Sequence, residues 1–241
     1  MMMLIETGRQ IGNRRLARDA EGARAGVGAV EGAVFGLLGL LLAFSFSGAA
    51  ARFDARRQLI TQEVNAIGTA WLRIDLLPED VQPTVRGGFR RYLDARLAAY
   101  RKIPDLAAAR AELATAARAQ EEIWAAAVAV CRTPRGEPAR VLLLPALNEM
   151  FDIAQERTLA ARVHPPAAIF VMLILLALGC SVLVGYGMAG GGRRGWLHMV
   201  GFATAIAIAI YVTLDLEFPR LGIIQVSGFD QALLELRESM K

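Results

Sequence analysis

The side chains of this 241-residue chain that could do chemistry are few and dispersed. Glu149 and Asp152 lie three apart and so share one helix face. That spacing suits a cation site or a paired acid and base, yet Leu147, Met150, Phe151 and Ile153 flank them as on an ordinary amphipathic helix, and the solvated-surface reading outweighs the ligand reading. Asp215, Glu217 and Arg220 make a charged cluster in TLDLEFPRLG, directly after an apolar run that Pro219 stops. Ionisable groups at a membrane edge start as functional candidates; Glu217 is expected to pair with Arg220, or the cluster to bind a partner helix or line a vestibule. His198 reads as an interfacial residue, and His164, in His164-Pro165-Pro166, as part of a helix terminator. Cys131 and Cys180 fall in a polar and an apolar segment, with no C-x-x-C spacing and no disulfide framework; both are expected to be buried structural residues. There is no G-x-S-x-G elbow, P-loop or zinc-binding helix. The chain therefore reads as a non-enzyme, with no catalytic residue, cofactor or metal ligand assigned.

The elements that would hold these groups are set by hydropathy. The chain is 55% hydrophobic and 21% charged, with a mean hydropathy of +0.38. The apolar excess sits in three stretches free of Asp, Glu, Lys and Arg, at 32–51, 167–189 and 195–214. Each holds about 20 residues, enough for a helix to cross the ~30 Å hydrocarbon layer. The expectation is an all-α integral membrane protein: a basic segment over 1–28, spans over 29–51, 167–189 and 195–214, a helical extramembrane domain over 52–166, and a tail over 215–241 with a short amphipathic helix. Lys+Arg 27 against Asp+Glu 23 leaves +4, but bases and acids are interleaved. That pattern suits a solvated helical surface near headgroups and argues against a nucleic-acid partner.

Gly28, Gly32 and Gly36 give two successive G-x-x-x-G spacings at the head of the first span, baring one face for close helix packing. Beyond the span, Phe53, Ile60, Ile67 and Ile74 recur at seven, with Val64 and Trp71 at the four-residue offset. This is a heptad-like seam. Projected backwards it meets Phe46, Gly39, Ala50, Ala43 and Gly36, so one continuous helix is expected from about Ala29 to Ile74. The seam either packs inside one subunit or lines a central axis shared by several copies, and the sequence leaves the two readings level. Val85, Phe89, Leu93, Leu97, Tyr100 and Ile103 mark the face of a second helix, Ile103-Pro104-Asp105 is a break and restart, and two further helices follow. The Gly-rich turn holding Arg193 and Arg194 joins the last two spans into a hairpin. Counting Lys/Arg near the span ends gives six on each side, which leaves orientation open.

The stretches GLLGLLLAFSFSGAAARFDARRQLITQEVNAIGTAWLRIDLLP, RRYLDARLAAYRKIPD, LLLPALNEMFDIAQERT, HPPAAIFVMLILLALGCSVLVGYGM and YVTLDLEFPRLGIIQV carry a resemblance over most of residues 36–227. The chain resembles the bacterial bestrophin-like domain family, itself distantly similar to bestrophin ion channels. The resemblance implies a helical protein of the bacterial inner membrane that assembles as a ring, five subunits being the number it suggests, around a pathway for inorganic ions, with the domain between the spans in the cytosol. It also implies a four-span pattern. Only Met1 to Ile5 precede Glu6-Thr-Gly-Arg here, so the first span of that pattern is expected to be missing from this chain. Bestrophins use an acidic cluster for calcium, and no match to it is found. The leading function is an oligomeric channel with Gly36, Gly39, Ala43, Phe46 and Phe53 lining an axial pore. The alternative is a non-conducting membrane scaffold or sensor whose helical domain binds a soluble partner.

Overall fold

A computed structural model of the chain describes residues 1–18, 27–191 and 195–240, the side chains of residues 27, 227 and 229 excepted. Arg193, Arg194 and the turn they occupy lie outside the described residues. Among the described residues eight α-helices follow in order: α1 (Met2–Leu16), α2 (Val27–Arg73), α3 (Gln82–Arg101), α4 (Leu106–Cys131), α5 (Glu137–Ala160), α6 (Ala167–Gly187), α7 (Trp196–Glu217) and α8 (Ser227–Ser239). A 3-10 turn over Ile74–Leu76 finishes α2. No strand occurs among the described residues, and α2, α6 and α7 are long and apolar enough to cross a membrane. The chain divides into two units, Met1–Arg52 with His164–Glu217, and Phe53–Val163 with Phe218–Lys241.

The first unit holds α1, the apolar half of α2, α6 and α7. Leu38, Ala177 and Cys180 are buried at its centre, with Phe35 of α2 meeting Phe202 of α7 edge-on at 6.1 Å. Inside the spans, polar side chains turn back on their own helix: Ser181 Oγ donates to the Ala177 carbonyl and Thr213 Oγ1 to that of Ala209, both at 2.8 Å. This keeps hydroxyls satisfied without water.

The opening residues, expected as a short apolar start before a basic segment, form α1, which packs directly on α6. Small residues make this possible. A Cβ at Gly8 would sit 2.0 Å from the Val182 carbonyl oxygen, and one at Gly185 1.8 Å from that of Ile5. Bare backbone at these places lets the two helices touch main chain to main chain. Asn13 Oδ1 then accepts from the Gly190 N–H at 2.8 Å where the chain leaves α6.

The second unit is a bundle of the polar half of α2 with α3, α4, α5 and α8. The seam read from the sequence supplies its core: Ile60, Ile67, Trp71 and Ile74 are buried, the last three packed with Val85, Phe89 and Leu93 of α3 and Leu143, Leu147 and Met150 of α5. Over these residues the seam therefore serves packing within one chain. Asp105 caps α4 by accepting from the Ala107 and Ala108 N–H groups at 3.1 and 3.0 Å, which is why the helix restarts just after Pro104. Glu149, Asp152 and Glu156 face solvent on α5, as the surface reading expected.

Candidate functional site

Two kinds of feature stand out once the helices are placed: an uncovered face on the apolar half of α2, and two clusters of buried charge. The face begins with glycine. Gly28, Gly32, Gly36 and Gly39 are exposed, and among the described residues no atom beyond their own helical turns lies within 4 Å of a Cβ built on any of them. Ala43 and Ser47 continue it, also exposed. Large apolar side chains stand beside this stripe, Phe44 at 67% exposure and Phe46 at 46%. Phe53 is half-buried, with the Arg57 guanidinium 5.8 Å from its ring centre. Among the described residues, close helix contact is made at Gly8, Gly12 and Gly185.

The first charge cluster joins the ends of the spans. Glu217, the last residue of α7, is fully buried and accepts from Arg52 Nε at 2.9 Å and Nη2 at 2.7 Å. His164 Nδ1, just ahead of α6, lies 3.0 Å from its other oxygen. A carboxylate at a helix C-terminus faces unpaired carbonyls and is disfavoured there, so the arginine at the end of the α2 span is what makes Glu217 tolerable. Asp215 is also buried. Pro219 follows the end of α7, and Arg220 bonds to Asp230 of α8, Nη1 to Oδ2 at 2.8 Å.

The second cluster centres on Glu63 of α2, which is fully buried. Arg96 of α3 donates to it through Nε at 2.8 Å and Arg157 of α5 through Nη1 at 2.5 Å. Arg157 also reaches Asp230 at 2.6 Å, so α8 is tied to the same group. The guanidinium carbons of Arg96, Arg157 and Arg220 stand 5.2, 4.0 and 4.5 Å from the Tyr100 ring centre, a stack of cations on one aromatic quadrupole. Three arginines face two carboxylates, and the ring helps to offset the surplus charge. Burial pushes the Tyr100 phenol up to about 12, Glu63 adding to the rise and the three arginines opposing it. Arg96 is raised as well, because Tyr100 and Glu63 outweigh the burial that works against its charge.

Neither cluster has the make-up of a metal site, and among the described residues no group of three or more His, Cys, Asp or Glu gathers as one. Comparison with known proteins gives the arrangement its context. The model of the bestrophin-like domain matches residues 8–228, nearly the whole chain. The chain belongs to the bestrophin-like family. A tryptophan-to-alanine variant of a bacterial bestrophin homologue from Klebsiella pneumoniae has the same fold, with a TM-score of 0.72 at 13% identity over 99% of this chain and 93% of that one. No curated protein matches the chain.

Within this bestrophin-like fold, several functional candidates escape a reading by residue type alone. Glu63 sits four residues after Leu59 and four before Ile67, both buried. A carboxylate in the apolar phase of a helix signals a buried partner, and that phase error is the clue. Arg96 is flagged the same way, between Leu93 and Tyr100. His164 carried no such mark, because its partner stands 53 residues away.

Proposed function

We propose that this bestrophin-like protein is an ion channel of the bacterial inner membrane, a closed ring of identical subunits, five in our reading, with its helical unit in the cytosol. The first span of each copy lines the axis through Gly36, Gly39 and Ala43, with Phe46 and the more exposed Phe44 as the apolar constriction. The single observation that carries the reading is the open glycine stripe of α2. Glycine inside a helix costs about 0.5–1 kcal/mol relative to alanine, and in membranes it is held where something must come close. Among the described residues Gly8 and Gly185 have such a neighbour, whereas Gly28, Gly32, Gly36 and Gly39 have none. A second copy, or a narrow water path between copies, supplies one. An apolar ring can gate by dewetting and needs no charged filter.

Phe53 belongs to this proposal as the point where its phase passes into the seam: Ile60 and Ile67, on the same heptad position, are buried. The lining phase is therefore that of Gly36, Ala43 and Ser47. The test is conductance of the purified protein in planar bilayers. Phe44→Ala and Phe46→Ala should each raise single-channel conductance, Phe44→Ala by more. A conducting protein indifferent to both substitutions would remove these side chains from the pathway.

A further inference from the structure

The chain leaves α7 at Glu217 and enters α8 at Ser227 through residues 218–226, a segment in which Arg220 alone is charged. Its exposed side chains are Phe218, Leu221, Ile223 and Gln225. Three of these are large and apolar, with Ile223 exposed at 81% and Leu221 at 63%. Single apolar side chains scattered over a protein surface are ordinary. A close group of them with no charge between is the mark of a surface that meets something other than water.

The segment is a closed loop held from behind. Pro219 and Val226 are buried, and the Val226 N–H donates to the Pro219 carbonyl at 3.1 Å, which brings the two ends together. Arg220 points inward: Nη1 and Nη2 reach Asp230 at 2.8 and 3.2 Å, and its guanidinium carbon lies 4.5 Å from the Tyr100 ring centre. The one charge of the loop is thus withdrawn from its exposed side. Backbone groups near the tip are answered within the loop as well. The Leu221 N–H donates to the Phe218 carbonyl at 3.0 Å, and Gln225 Nε2 to the Gly222 carbonyl at 2.9 Å. Water would satisfy such groups unaided, whereas an apolar surrounding requires partners from the chain itself.

We propose that this loop is an interfacial anchor, with Leu221 and Ile223 at its tip entering the boundary between headgroups and acyl chains of the leaflet in which α7 ends. Two observations favour lipid over a second copy or a soluble partner as the occupant. The first is covalent: Glu217 closes a helix long and apolar enough to cross a membrane, and from there to Ile223 the chain can extend no more than about 20 Å, so the tip is tethered near the bilayer surface. The second is the chemistry of the tip, apolar outside and satisfied inside, which is what shallow insertion demands. The anchor fixes the exit of α7 at the membrane surface, and through Arg220 and Asp230 the start of α8 with it. It holds whether or not the protein conducts.

The test is electron paramagnetic resonance of a nitroxide attached to Ile223→Cys in the full chain, reconstituted in vesicles of phosphatidylethanolamine and phosphatidylglycerol. Power saturation reads its collisions with oxygen, which partitions into lipid, and with a nickel chelate, which stays in water. Cys131 and Cys180 are buried, so wild-type protein carried through the same labelling is the control. Glu149→Cys, on the exposed face of α5, supplies the value for water. The ratio of oxygen to nickel collisions at position 223 should exceed that value several-fold. A ratio equal to that of Glu149→Cys means a solvated loop and overturns the proposal. Protection from both reagents means cover by protein, from a second copy or a soluble partner, and overturns it too. The Ile223 side chain is exposed, so loss of folding in Ile223→Cys is not expected; should it occur, Leu221→Cys carries the same decision.

Discussion

The two halves of α2 follow one helical repeat and use it oppositely. In the half beyond Arg52, the seam at Ile60, Ile67 and Ile74 is buried, the last two packed with α3 and α5, and the one carboxylate in its phase, Glu63, is buried and paired twice. In the apolar half the small-residue stripe meets open space, and the unit is held together on other faces, by Leu38 against Ala177 and by α1 against α6. The difference is one of completeness. The helical unit satisfies its helix from its own chain, whereas the apolar half presents a surface that the described residues leave uncovered. Substitutions in the first should therefore act on folding, and those on the open stripe on assembly and conduction.

The sharpest break should come from Glu63→Gln. Removing one partner of a buried ion pair leaves uncompensated charge and costs about 3–5 kcal/mol, here with Arg96 deprived of its carboxylate and Arg157 left with Asp230 alone. Chemical denaturation of the detergent-solubilised protein should show the loss, and an unaltered midpoint would mean that the cluster is better hydrated than its burial indicates.

Gly185→Ala is next. The added methyl meets the Ile5 backbone at 1.8 Å, and overpacking of that kind costs about 1–3 kcal/mol; a lowered thermal midpoint with unchanged denaturation of the helical unit is the expected pattern.

Tyr100→Phe should change neutral-pH stability by no more than about 1 kcal/mol, since the buried phenol oxygen has no hydrogen-bond partner to lose. Its effect belongs at high pH. With the folded-state value near 12 against an ordinary 10.0, the folded protein retains a proton that the unfolded chain releases. That contribution is whole below pH 10 and fades as pH rises to about 12. The phenylalanine variant should lack this alkaline decline in a denaturation series against pH.

The smallest effect on folding is expected from Gly36→Ala, within about 0.5–1 kcal/mol and in either direction, because the methyl enters open space. The comparison with Gly185→Ala is the point: the same change on two glycines in one unit should separate packing inside the chain from packing outside it. A large loss of monomer stability from Gly36→Ala would contradict the open stripe.

Much of the architecture was legible in the sequence because the bilayer imposes a coarse rule. Charge-free runs of about 20 residues had to be helices, and the heptad at Phe53, Ile60 and Ile67 announced that the first of them continued past the membrane edge. The seam's partner was not legible, since a heptad marks a packed face without saying whose face fills it. Nor was α1, because the glycines that seat it, Gly8 and Gly185, are separated by most of the chain and form no local motif. Of the charged trio at the end of α7, residue type identified Asp215, Glu217 and Arg220 but not their partners. Arg52 and Asp230 are chosen by the fold, the first because Glu217 caps a helix end that needs a cation, the second because α8 brings it to Arg220.

The account stands most directly on the oligomeric state of the detergent-purified protein, read by native mass spectrometry. An axial pore requires a closed cyclic assembly, so the open stripe of α2 predicts a stable ring, five subunits in our reading and no fewer than four. A clean monomer or dimer under conditions that preserve the fold would contradict it.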